Sequence, residues 1–153
     1  MKNLTKYISE GLKVNSKSKF RKYNYSPKTK DELKELIKQL IKERGNKADL
    51  NDIDTSEITD MSYLFDGSDF NGDISCWNVS NVNNMLYMFY ASDFNGDISE
   101  WDVSKVEDME RMFTNSIFNG DISKWKVLPT VKMTHMLRYC PLEKNPPKWY
   151  KND

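Results

Sequence analysis

The hexapeptide FNGDIS stands at residues 70–75 and returns unchanged at 94–99 and 118–123. Identical copies 24 residues apart mark a repeat protein. The same register extends towards the amino terminus, where Ala48, Asp49 and Leu50 fall under Gly72, Asp73 and Ile74. Ile53 falls under Trp77, Trp101 and Trp125, and Met61 under Met85, Met109 and Met133. Leu64 and Phe65 precede the pairs Met88-Phe89, Met112-Phe113 and Met136-Leu137. Towards the carboxyl terminus Leu142 and Trp149 begin a truncated fifth unit, and Pro146 and Pro147 between them have no amide to give to a further ladder.

Inside one unit the apolar period changes. In DISCWNVS (73–80), Trp77 and Val79 alternate as in a strand. Val82, Met85, Met88 and Phe89 then share one helical face, with Ser80 where an N-cap belongs. Ser104 followed by Glu107 repeats that start signal, and Pro129 suits a first helical position. The Asn-Gly pairs at 71–72, 95–96 and 119–120 suit left-handed turns. The expectation is an α/β repeat solenoid of 24-residue strand–turn–short-helix units, leucine-rich-repeat-like, with columns of Phe, Ile, Trp, Val and Met as its core.

A solenoid needs its end rungs covered. Thr29 with Glu32 makes a capping box, Leu33, Leu36, Ile37, Leu40 and Ile41 form an apolar stripe, and Gly45 is a natural terminator. This predicts an N-terminal capping helix lying across the first rung. The organisation is then a basic arm at 1–28 with a short amphipathic helix (Leu4, Tyr7, Ile8, Leu12), a capping helix at 29–47, four repeats at 48–140, and a truncated repeat with closing cap at 141–153.

The chain has 153 residues and a formal net charge of zero. Residues 1–45 nevertheless carry 13 Lys/Arg against 5 Asp/Glu, and residues 46–153 carry 10 against 18. A basic arm suits an acidic partner or nucleic acid; it also suits docking on its own acidic repeats, or plain solvation. No apolar run approaches the roughly 20 residues of a membrane span, and residues 1–12 lack the apolar stretch of a secretory signal. A cytoplasmic or virion-associated location is expected. Cys76 and Cys140 occupy non-equivalent positions, so free thiols are expected, and with the single His135 they do not make a zinc site.

The pattern FNGDISxWxVSxVxxMxxMF at 70–89 and 94–113 resembles the BspA-like surface-protein repeat, a short leucine-rich-repeat-like unit of bacterial surface proteins, mycoplasma lipoproteins, some protists and phages. PKTKDELKELIKQLI at 27–41 is similar to the helix preceding such repeats. The resemblance implies a scaffold for adhesion or protein binding, with no catalytic residues or cofactor to carry over. The first cysteine is Cys76, so there is no early lipobox, and MKNLTKYISE at 1–10 is similar in style to the start of some phage proteins. A phage-encoded, virion-associated or host-factor-binding protein is expected ahead of a surface adhesin.

Catalytic constellations are missing from the sequence: no Ser/His/Asp set, no phosphate-binding glycine loop, no metal-ligand cluster. The column Asp73, Asp97 and Asp121 admits a calcium reading, against the plainer one in which each caps its own turn. Positions that vary between units are free to select a partner. Beside the tryptophans these are Glu100, Asp102, Lys124 and Lys126; on the Met/Phe segment they are Tyr63, Tyr87, Tyr90 and Arg111. Tyr and Arg are frequent interface hot spots. A non-catalytic protein-binding module is expected, with the tryptophan side slightly favoured. The alternative is nucleic-acid binding through Lys17, Lys19, Arg21 and Lys22, where Phe20, Tyr23 and Tyr25 are interleaved for stacking.

Overall fold

Thr29 closes an extended approach and starts α1 (Lys30–Arg44), the one α-helix among the described residues. The structure is a computed structural model, described here over residues 22–151; the pattern at 1–12 and Lys17, Lys19 and Arg21 lie outside the described residues. The Thr29 side chain accepts the Glu32 N–H at 3.2 Å, and Glu32 Oε2 accepts the Lys28 N–H at 2.8 Å. The first satisfies one of the amides that a helix start leaves over, and the second ties the Glu32 carboxylate to the residue before the cap. At the other end Gly45, at φ 87°, takes a backbone angle that side chains resist and returns its N–H to the Ile41 carbonyl.

The stripe behaves as its spacing predicts. Leu33, Leu36, Ile37 and Leu40 are buried in the same core as Leu50, Ile53, Ile58 and Met61 of the first unit. Charged groups pin both ends of α1 to that unit. Lys30 Nζ reaches Asp60 at 3.5 Å and Ser62 Oγ at 2.8 Å, while Arg44 grips Asp52 with both terminal nitrogens, at 3.0 and 3.1 Å. Burial opposes ionisation of Asp52, but hydrogen bonds from Arg44 and Asn24 and the guanidinium charge outweigh it and hold the carboxyl below the ordinary carboxylate range. A carboxyl pKa lowered by folding stabilises the fold above the unfolded value, and that contribution disappears as pH falls through the folded value. Urea midpoints should therefore drop between pH 7 and about pH 3, and Asp52→Asn should make that drop smaller.

The repeats do stack, but not as strand–helix units. Among the described residues there is no strand, only isolated parallel bridges: Tyr25 to Ile53, Asp49 to Asp73, and a row running Asp60, Asn84, Asp108, Lys132. Nor is there a helix after Ser80, Ser104 or Pro129. The expected α/β solenoid is thereby overturned. The reason lies in where the amides go. Met85, Tyr87, Phe89 and Ala91 donate to the carbonyls of Asp108, Glu110, Met112 and Thr114 in the next unit, at 2.8–3.1 Å. The same alternate set recurs from Met61, Tyr63, Phe65 and Gly67, and from Met109, Arg111, Phe113 and Asn115. An amide given to the next unit cannot close a helical bond to the residue four earlier.

Each unit is instead a chain of turns. Trp77 bonds back to Ile74, Val82 to Val79 and Met88 to Met85. Asp73, Asn78 and Asn84 each accept the N–H two residues on with a side-chain oxygen, at 2.9, 3.1 and 3.0 Å. Such local bonds let Asp and Asn compete with a regular ladder. The 3-and-4 spacing of Met85, Met88 and Phe89 aims all three inward, where each is fully buried.

The core is a set of parallel columns. Phe65, Phe89 and Phe113 stack at 5.5 Å between ring centroids, and Phe70, Phe94 and Phe118 at 6.2–6.3 Å. Trp77, Trp101, Trp125 and Trp149 each give the indole N–H to the carbonyl 27 residues earlier, at 2.8–3.2 Å. Trp149 thus places the fifth unit in register, beside the 3-10 turn Pro141–Lys144. The Asn-Gly turns also differ from expectation. Gly72, Gly96 and Gly120 do not take positive φ; a Cβ there would run into the ring of Phe70, Phe94 or Phe118, at 2.6–2.8 Å. Asn71 and Asn95 link the units by accepting the N–H of Asn95 and Asn119.

Candidate interaction surface

The amides of Tyr63, Tyr87 and Arg111 bond to the next unit, so side chains 24 residues apart rise one above another. These residues and His135 all take left-handed backbone angles, φ 54–59°. Each such residue costs roughly 1–2 kcal/mol, and the regular inter-unit ladder holds it there. The turn pushes the side chain outward while its neighbours Met61 and Leu64, or Met85 and Met88, fill the core.

Four of the residues singled out in the sequence come together on this segment. Tyr63 and Tyr87 stack at 5.0 Å with 10° between planes, and Tyr87 meets Tyr90 at 5.1 Å. The Arg111 guanidinium lies 5.8 Å from the centre of the Tyr87 ring. Tyr63 is 39% exposed; Tyr87, Tyr90 and Arg111 are half-buried. Asn115, which sequence reasoning passed over, donates to the Tyr90 phenol at 3.3 Å. Its signal was the alignment with Gly67 and Ala91, a column whose members all take positive φ.

Glu100, Asp102, Lys124 and Lys126 are exposed on either side of the buried Trp101 and Trp125. Asp102 is engaged within its own turn, accepting from the Ser104 N–H and hydroxyl at 3.1 and 2.6 Å. Backbone and hydroxyl bonds from Ser99 and Ser123 also hold Asp97 and Asp121 below the ordinary carboxylate range, Lys124 adding its charge at Asp121. This is the turn-capping role, and no cluster of three or more metal-ligating side chains occurs among the described residues.

Of the basic arm, Lys22 is exposed, whereas Tyr23 and Tyr25 are 5% and 8% exposed, Tyr25 within the core beside its bridge to Ile53. Cys76 and Cys140 form no disulfide, the first being exposed and the second buried with its pKa raised chiefly by burial. No helix among the described residues is long and apolar enough to cross a membrane.

A stack of similar coils that differ beside the tryptophans and on the outer Tyr/Arg segment defines a repeat protein. The chain belongs to the family described as "Mycoplasma protein of unknown function, DUF285", whose model matches residues 32–149. No curated protein and no solved structure matched it in the comparisons.

Proposed function

We propose that this chain is a non-catalytic protein-interaction module, of the BspA-like repeat type and phage-encoded, whose virion or host partner binds the face formed by Tyr63, Tyr87, Tyr90 and Arg111. The observation that carries this reading is the mutual packing of those four side chains on an inter-unit ladder, three of them on left-handed residues. Rigid aromatic side chains lose little entropy on binding, and Tyr and Arg are enriched among the residues that dominate interface energetics. The charged quartet Glu100, Asp102, Lys124 and Lys126 is the competing surface.

Affinity capture from the source cell, with the retained proteins identified by mass spectrometry, separates the two. Tyr87→Ala with Tyr90→Ala is expected to remove the captured partner, and Glu100→Lys with Asp102→Lys to leave it. The reverse pattern overturns the assignment; capture unaffected by either pair overturns a repeat-surface role altogether. Nucleic-acid binding through Lys17, Lys19, Arg21 and Lys22 would show instead as affinity that falls steeply with salt. The burial of Tyr23 and Tyr25 withdraws two of the aromatic residues that reading needs for stacking.

A further inference from the structure

We infer that the Tyr63 end of this face is a receptor for an arginine side chain in a basic segment of the partner; this rests on the function proposed above. Tyr87 is enclosed, with the Tyr63 ring packed on it at 5.0 Å and the Arg111 guanidinium 5.8 Å from its centre. Tyr63 has Tyr87 on one face. On the other, no ring or guanidinium of the described residues packs, and the residue is 39% exposed.

The register puts Asp66 beside Tyr63, as it puts Tyr90 beside Tyr87. Asp66 is exposed and forms no ion pair with a described residue. An aromatic face next to a carboxylate fits a planar cation. The chain already builds one such arrangement: Arg44 lies 5.8 Å from the centre of the Tyr25 ring while holding Asp52 through both terminal nitrogens. Tyr63 and Asp66 offer the same two kinds of side chain, three residues apart in one unit, with no guanidinium of a described residue over the Tyr63 ring.

The surroundings select a cation. Residues 46–69 carry seven Asp/Glu against one Lys, and with Asp52, Glu57 and Asp60 paired to Arg44, Lys28 and Lys30, Asp49, Asp54, Asp66 and Asp69 remain against Lys47. Two lysines at the start of the cap are already committed, Lys28 to Glu57 at 2.7 Å and Lys30 to Asp60 and Ser62. Arginine fits better than lysine, because a guanidinium stacks on a ring and meets a carboxylate with two parallel bonds.

The test is a fluorescence-anisotropy titration of the full chain with nona-arginine and nona-lysine peptides at fixed salt. The arginine peptide is expected to bind about tenfold more tightly than the lysine peptide. Tyr63→Ala should weaken the arginine peptide about tenfold, Asp66→Asn should weaken it as well, and Tyr63→Phe should retain it. Equal binding of the two peptides, or unchanged binding by Tyr63→Ala, overturns the inference. So does tighter binding of an uncharged tryptophan peptide, which would make the site a plain aromatic platform. The two proposals fail separately. Loss of partner capture by Tyr87→Ala with Tyr90→Ala, without arginine selectivity, removes only the arginine receptor. Selectivity with capture intact removes only the proposed partner face.

Discussion

Trp101→Ala is expected to lower the free energy of unfolding by about 3–5 kcal/mol, read from urea denaturation. A domain's whole stability is only about 5–15 kcal/mol, so the variant should sit near the limit of folding. Trp101 is 4% exposed, and its ring lies 6.3 Å from Phe89 in the middle of the stack. Removing it opens a cavity and strips the Ile74 carbonyl of its indole donor at 3.2 Å. Trp101→Phe separates the two effects: it keeps much of the apolar volume and leaves that carbonyl without the indole, at about 1–3 kcal/mol. Trp149→Ala should cost less than Trp101→Ala, because Trp149 closes the stack and is only partly buried.

Gly72→Ala should rank next, and above the same change at Gly96 or Gly120. A Cβ on Gly72 would collide with the Ala48 carbonyl oxygen and come within 2.6 Å of the Phe70 ring. Gly96 meets the Phe94 ring at 2.8 Å but its nearest foreign backbone atom only at 3.1 Å, and for Gly120 that distance is 3.6 Å. A side chain can shift where a backbone carbonyl in a bridge cannot. Forcing extra volume into a packed site costs about 1–3 kcal/mol and sometimes more. Gly72→Ala should lie at the top of that range, with a smaller thermal shift for Gly120→Ala. If all three substitutions cost the same, the close approach between the first and second units is not what requires glycine.

Parts of this architecture are open to reading from the chain alone. The 24-residue register places every column correctly, because Phe70, Ile74, Trp77, Val79, Met85 and Phe89 recur in phase and all are buried. The cap is equally legible, since Thr29, Glu32 and Gly45 are strong local signals and the intervening stripe has a helical period. The unit's secondary structure is not. Spacings of three and four at Met85, Met88 and Phe89 serve a helix or a run of turns equally well, and the choice is made by amides that bond 23 residues away. The left-handed angles at Tyr63, Tyr87 and Arg111 carry no local signal, since neither Tyr nor Arg favours them. The Asn-Gly pairs misdirect for a related reason: glycine serves there to let a ring and a backbone come close, not to reverse the chain.

The surface follows from the same ladder. Aligning the units shows which side chains share a column, and so brings Tyr63, Tyr87 and Arg111 together. That Tyr90 joins them and that Asn115 holds its phenol depends on the turn geometry between adjacent columns. FNGDIS, the least variable stretch, contributes ring columns, glycine contacts and turn caps. In the function proposed here, selection of a partner falls to the segment whose amides tie one unit to the next.

That ladder can be measured directly by through-hydrogen-bond scalar couplings in isotope-labelled protein. The structure predicts couplings from the amide nitrogens of Met85, Tyr87 and Phe89 to the carbonyl carbons of Asp108, Glu110 and Met112. Couplings from those amides to carbonyls four residues earlier would instead place a helix in each unit, and would contradict the account.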